Sequence, residues 1–182
     1  MLCKFRGMTD NIHPGLLDPD DWQEAAVQAP LALAAQGFLR AVVLDNDLPA
    51  AWDLAHDRLR RSWAAAWVKA NATSLARDGH DLQAVESDLA GGRHEHELWI
   101  HFARVVTREV SSLVPAAPEH WGIGATARVV GLDLELLYLH DTGGRTAMVW
   151  NPEETKPVVP VLMSHTDGAW KVLNLGSETI PE

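Results

Sequence analysis

The period at which apolar residues recur changes in the last third of the chain, and this change constrains the fold most. Residues 127–140 alternate with the two-residue period of a β-strand. Two more strand-like runs, Val158–His165 and Ala169–Leu175, are joined by a Thr-Asp-Gly turn at 166–168. The preceding part has helical periodicity. We therefore predict an α+β fold, in which a helical N-terminal part packs on a curved, antiparallel, cone-like sheet around a central pocket.

Composition narrows the partners and the location of the protein. The 182 residues are enough for one domain with a sizeable core. The formal net charge of −10 argues against nucleic acid, because phosphate-backbone binding needs a basic surface. The sequence shows no apolar run of the roughly 20 residues that span a bilayer, and the N-terminus has no signal-peptide core. We expect a cytoplasmic protein that binds neither nucleic acid nor membrane; whether translation starts at Met1 or Met8 stays open.

Cysteine usage and glycine spacing argue against several kinds of chemistry. Cys3 is the single cysteine, so there is no internal disulfide and no cysteine-based metal or redox motif. The sequence has no Gly-x-Ser-x-Gly nucleophile elbow. It also has no phosphate-binding glycine loop, since Gly122 and Gly124 lack the third glycine of that motif. We expect no cofactor.

The chain divides into three parts. Residues 1–29 form a polar, partly flexible extension, residues 30–176 a single α+β cone-like domain, and residues 177–182 a C-terminal tail. Four helices and one extra short strand are predicted from apolar spacing, caps and breakers. They are a helix from Pro30 to Val42, a second that Asp47 and Pro49 start and that ends near residue 76, a third over Asp81–Leu89, a fourth from about His94 to Leu113, and a strand over Thr146–Trp150.

Three segments resemble a known superfamily. Residues 34–42 and 47–52 look like the first two helices of the nuclear transport factor 2-like superfamily, and residues 167–176 are similar to its last hairpin and strand. The resemblance covers about residues 30–176 and implies the cystatin-like α+β cone. That superfamily contains ketosteroid isomerase-like and polyketide cyclase-like enzymes, binders of small ligands, and association domains. The resemblance also implies a hydrophobic small-molecule ligand and a homodimer that pairs through the sheet face.

A histidine among tryptophans is the first candidate site. His56 lies between Trp52 and Trp63 on the predicted second helix, and Trp67 follows one turn later. Desolvation there lowers the pKa of the imidazole and keeps it neutral, as a general base requires. The alternative is a core histidine bonded to the backbone. The tryptophans likewise line a ligand site or simply fill the core.

The alternating segment sorts its side chains onto two faces. We expect one face to pack on the helices and the other to point away, where its mixture of Leu137 and Leu139 with Asp133 and Glu135 suits a homodimer interface. The first comprises Val130, Leu132, Leu134, Leu136, Tyr138 and His140; the second comprises Gly131, Asp133, Glu135, Leu137 and Leu139.

These faces decide which polar groups reach the pocket. Tyr138 is the candidate hydrogen-bond donor to an enolate oxygen, but the ketosteroid isomerase-like mechanism also needs a pocket carboxylate, and none is placed there. His140 and Asn174 are further candidate ligand contacts. On the last strand Trp170, Val172 and Asn174 are expected to share a face.

A second group of histidines is a candidate metal site, but arginines on the same helix face argue against it. His94, Glu97 and His101 fall on one face of the predicted fourth helix. Arg104 and Arg108 occupy the same face, and cationic neighbours disfavour a bound cation. We expect a solvated helix face without a metal.

Three functions remain open from sequence. The preferred one is a non-catalytic module that binds a hydrophobic small molecule or associates with a protein. The alternative is an isomerase, lyase or cyclase with His56 as base and Tyr138 as donor. A weaker alternative is an acidic inhibitor or immunity-type protein, steered electrostatically toward a basic partner.

Overall fold

The structure, a computed structural model, describes residues 30–114, 121–131, 133–141 and 158–181. Helices occupy the first described stretch and an antiparallel sheet the rest, so the predicted α+β class with N-terminal helices is confirmed. The predicted extension 1–29 and the predicted strand Thr146–Trp150 lie outside the described residues.

Five helices precede the sheet in the described part of the chain. The bounds are 30–39 for α1, which continues as a π-helical turn over Arg40–Leu44, then α2 Leu48–Leu54, α3 Asp57–Arg77, α4 Leu82–Ala90 and α5 Trp99–Leu113. The start of α2 follows the predicted cap chemistry: the Asp47 carboxylate accepts from the Ala50 N–H at 3.0 Å, with a proline in the first turn. Asp81, predicted as the first residue of the third helix, is instead the residue that caps α4.

The predicted second helix is two helices. Ala55 and His56 adopt extended backbone angles, α2 ends before them, and α3 begins after them. Ala55 forms a parallel bridge with Val172, and the His56 N–H donates to the Val172 carbonyl at 2.8 Å. Where the helix is interrupted, the edge of the sheet therefore supplies a hydrogen-bond acceptor for the His56 N–H.

The fourth predicted helix starts later than expected. Residues 93–98 form turns, and α5 begins at Trp99. The His96 Nδ1 accepts from the Leu98 N–H at 3.1 Å within these turns. Because His94 and Glu97 precede the helix, the predicted shared helical face of His94, Glu97 and His101 does not form.

The sheet is a meander of four antiparallel strands in the order β1-β2-β3-β4. Their bounds are Trp121–Gly131, Leu134–Asp141, Val158–Thr166 and Ala169–Leu175. The prediction of one strand over 127–140 is wrong, because the chain reverses and Gly131 pairs with Leu134. Apolar alternation continues through this turn, so the period alone does not reveal it.

The predicted hairpin between the last two strands is confirmed. Asp167 and Gly168 both have positive φ, 54° and 78°, which matches the primed turn that suits the twist of paired strands. β3 and β4 are paired from Thr166 and Ala169 onward.

The two faces of β2 are the reverse of the prediction. Leu137 and Leu139 are fully buried in the main core with the helices. Leu136 and Tyr138 belong to a second cluster with Leu162 and Leu173. Alternation separates the two faces but does not choose the inner one, and here both faces carry leucines.

A β-bulge changes the facing of β4. Met163 pairs with Val172 and Leu162 pairs with Asn174, so Leu173 is the extra residue. Val172 is in the main core, whereas Asn174 lies opposite Leu162 of the second cluster. The prediction that Trp170, Val172 and Asn174 share a face is therefore wrong at Asn174.

The helical side of the core is centred on Trp52, which is 1 % exposed. Its Nε1–H donates to the Ala90 carbonyl at 3.2 Å, so the end of α2 is bonded to the end of α4. Gly92 lies against the same indole: a Cβ there would stand 2.8 Å from Trp52 Cδ1, and the glycine has a φ of +76°. Two independent constraints, space and backbone, therefore require glycine at this position.

We expect Gly92→Ala to be clearly more destabilising than Gly79→Ala. Gly79 has a similar φ of +84° but no atom of the described residues within 4 Å of its would-be Cβ, so it is the matched control for the backbone cost. That cost is about 1–2 kcal/mol, and the clash with Trp52 adds about 1–3 kcal/mol. Urea unfolding of both variants measures the difference. Equal losses would show that Trp52 is not tightly held.

Candidate functional site

His56 caps a helix at the edge of the sheet. Its Nδ1 accepts from the Arg58 N–H at 3.1 Å at the start of α3. The same Nδ1 lies 2.8 Å from the Asp57 Oδ1. The neutral ring can accept from the Arg58 N–H, whereas the protonated ring donates to Asp57 and loses the cap. The charge on His56 therefore decides which of two bonds forms.

Burial lowers the pKa of His56 below its ordinary 6.5, against the opposing attraction of Asp57. The charges of Arg58, Lys171 and Arg60 lower the pKa further. The side chain is still 15 % exposed. His56 is therefore a neutral imidazole near pH 7, with limited access to solvent.

Asp57 is held in its charged form. Burial by itself would raise the pKa of its carboxyl. The positive charge that His56 carries when it is protonated, the charge of Arg61, and hydrogen bonds from Arg61 and the Arg58 backbone lower the pKa below its ordinary value. Asp57 and Arg61 form an i, i+4 ion pair on α3.

The three candidate tryptophans pack in the aromatic core. Trp63 stacks on Trp52 at 6.0 Å between ring centroids, and Trp67 meets Phe102 edge-on at 6.1 Å. Trp99 also meets Trp52 edge-on, at 5.5 Å. These rings fill the space between α2, α3 and α5, and none of Trp52, Trp63 and Trp67 lines either of the grooves described below.

The remaining candidates lie elsewhere on the sheet. The Tyr138 hydroxyl donates to the Glu178 Oε1 at 2.7 Å, and Asn174 Nδ2 donates to the Thr179 carbonyl at 2.6 Å. Both bonds hold the chain after β4 against the face opposite the helices. His140 of β2 pairs with Val158 of β3. The side chain of His140 lies outside the described part of the structure. The fold does not bring Tyr138 and His56 into one pocket.

One groove, of about 470 Å³, opens between the start of α2 and one face of α5. We name it the α2–α5 groove. It is lined by Asn46, Leu48, Pro49, Trp99, Ile100, Ala103, Arg104, Thr107 and Arg108. Sequence reasoning used the two arginines only to argue against a metal. The groove residues at 100, 103, 104, 107 and 108 share one helix face, and this spacing was the signal in the sequence that could have identified the groove.

A second groove, of about 380 Å³, lies between α3 and α4, close to His56. Its charged lining residues are Asp57, Arg60, Arg61 and Glu86. The Arg60 Nε is buried and has no hydrogen-bond partner within the described ranges. This groove mixes both signs of charge beside a neutral imidazole, and sequence reasoning missed it.

The described ranges contain neither a metal-binding cluster of side chains nor a membrane-spanning helix. No group of three or more His, Cys, Asp or Glu side chains in the part that the structure describes is arranged to hold a metal ion. Among those residues, too, no helix combines the length and the apolarity needed to cross a bilayer.

Acidification should destabilise the wild type through His56. Because the folded-state pKa is below 6.5, the unfolded chain binds more protons than the folded chain as the pH falls through 6.5. The free energy of unfolding therefore decreases in that range. His56→Asn keeps a cap acceptor but does not titrate, so it should lose less stability between about pH 7.5 and about pH 5.5. Urea unfolding at both pH values tests this, and identical losses would contradict it.

Trp63→Ala should destabilise the protein by about 3 kcal/mol, because the ring stacks between Phe38 and Trp52. Trp63→Phe keeps an aromatic ring there and should cost less. Thermal and urea unfolding of the two variants give the comparison. A neutral Trp63→Ala would mean that the ring borders an open site instead of filling the core.

No protein-family model, curated protein or solved structure matches this chain. The resemblance to the nuclear transport factor 2-like superfamily therefore stays a prediction from the sequence.

Proposed function

We propose that the protein is a non-catalytic module of the nuclear transport factor 2-like type, with a cone-like sheet, that binds a small hydrophobic molecule or associates with a protein. The supporting observation is that the aromatic side chains of the helical side pack on one another, while an open groove lies outside them between α2 and α5. Binding therefore takes place at a surface groove.

The separation of the candidate catalytic groups supports a module without catalysis. Tyr138 bonds to Glu178 on the sheet face opposite the helices. His56 caps α3 at the edge of the sheet. A general base and an enolate-stabilising donor must both reach one substrate, and these two lie in different places.

The enzyme alternative retains two favourable observations. The pKa of His56 is lowered by burial, so the ring is neutral as a base requires. The α3–α4 groove lies beside it, and the buried Arg60 Nε of that groove has no hydrogen-bond partner among the described residues. In this alternative the Tyr138 hydroxyl, which is bonded to Glu178, is not the donor to the substrate. Arg60, which lines the groove beside His56, takes that role.

The partner predictions stand on different ground. A homodimer through the sheet face stays a prediction, but Leu137 and Leu139, which suggested it, face the helices. An acidic inhibitor remains the weaker alternative and rests on the net charge of −10.

Ligand binding without turnover is the expected outcome of a thermal-shift screen with hydrophobic acids, alcohols and ketones. A stabilising compound should raise the melting temperature of the wild type, His56→Asn and Tyr138→Phe by similar amounts, because neither residue lines the α2–α5 groove. Mass spectrometry should recover the compound unchanged. Conversion by the wild type that disappears in His56→Asn would contradict the proposal and establish the enzyme alternative.

A further inference from the structure

The α2–α5 groove changes character along its length. On α5 its lining residues recur at 100, 103, 104, 107 and 108, the spacing of one helical face. The first turn of that face is apolar, with Ile100 67 % exposed beside the buried ring of Trp99. The later turns carry Arg104, Thr107 and Arg108. The groove therefore has an apolar end and a cationic end.

The apolar end has a firm base. Leu48 and Trp99 are 1 % and 5 % exposed, so they are fixed by the core beneath them. Pro49 and Ala103 complete the apolar lining. An exposed isoleucine over such a base leaves apolar surface in water, which a bound apolar group would cover.

The cationic end has no counterion among the residues that the structure describes. Arg104 and Arg108 are exposed and one helical turn apart, and in the described ranges neither is in an ion pair. None of the described residues that line the groove is a carboxylate. Like charges at i, i+4 destabilise a helix, and this chain has a net charge of −10, so carboxylates for pairing are abundant elsewhere. Two guanidinium groups left open beside an apolar surface suit an anionic group with an apolar body.

We propose that the α2–α5 groove binds a small amphipathic anion, whose acid group is held by Arg104 and Arg108 and whose apolar body covers Ile100, Ala103 and Trp99. Its volume of about 470 Å³ is within the size of small-molecule sites. This site rests on the proposed binding function and names the chemical class of its ligand. The Thr107 hydroxyl lies between the arginines in sequence and offers one more donor.

The test uses two anionic probes, anilinonaphthalene sulfonate and decanoate, with the purified full chain. Fluorescence titration gives the dissociation constant of the first, and displacement gives that of the second. Decyltrimethylammonium has the same chain with the opposite charge, and acetate has the acid group without the chain. Decanoate should displace the reporter, whereas the other two should do so only weakly.

The double variant Arg104→Gln/Arg108→Gln should raise the dissociation constants of both anions about tenfold or more, because each anion loses hydrogen bonds to a charged group. Lys69→Gln/Arg77→Gln is the matched control: it removes the same charge from exposed positions of α3 that line neither groove. Ala103→Trp should fill the apolar end and weaken the binding of decanoate. Ala103 also packs on the core, so urea unfolding of the variant separates weaker binding from lower stability. Protein amide shifts on decanoate binding should concentrate in α5 and the start of α2.

Binding of the anions that is equal in the wild type and the arginine variant would overturn this site while leaving the binding module intact. Arginine-dependent binding of an acidic peptide, with no binding of either small anion, would also overturn it, since the occupant would be a protein. Turnover that depends on His56 would instead overturn the proposed function, and an unchanged arginine dependence would still support the groove.

Discussion

The packing of Trp52 is the constraint on which the helical part of the structure depends. The residue lies near the end of the short helix α2, yet its ring meets Trp63 of α3 and both Trp99 and Phe102 of α5. Its N–H is bonded to the end of α4. An indole buried this completely needs a hydrogen-bond partner, and the carbonyl at position 90 supplies it. One side chain thus fixes the relative positions of four helices.

The joint between α2 and α3 connects these helices to the sheet. Two extended residues replace one helical turn, and their backbone bonds to β4 at Val172. His56 then caps α3 with its own ring. The same imidazole that the sequence suggests as a base therefore has a structural task, and its neutrality is what that task requires. A lowered pKa at such a position is evidence of burial before it is evidence of catalysis.

Local chemistry was predictable where it acts over a few residues. The Asp47 cap and the Asp167-Gly168 hairpin turn depend on neighbouring backbone groups, and both form as expected. The break at Ala55 was not predictable, because its cause is the Val172 carbonyl, more than one hundred residues away. The turn near Asp133 was hidden for another reason, since apolar alternation is the same on both sides of it. Of the candidate site residues, the tryptophans and His56 were identified from spacing, but their roles depend on what surrounds them.

The sequence by itself determined that the helices precede the strands, the Asp47 cap and the hairpin turn, because these follow from residues adjacent in the chain. The tertiary structure decided which face of β2 is buried, since leucines on both faces make either choice compatible with alternation. It also decided that Arg104 and Arg108 border a groove, because part of the lining comes from Leu48 and Pro49 on another helix. Both outcomes depend on contacts between distant segments, and periodicity along one segment carries no information about them.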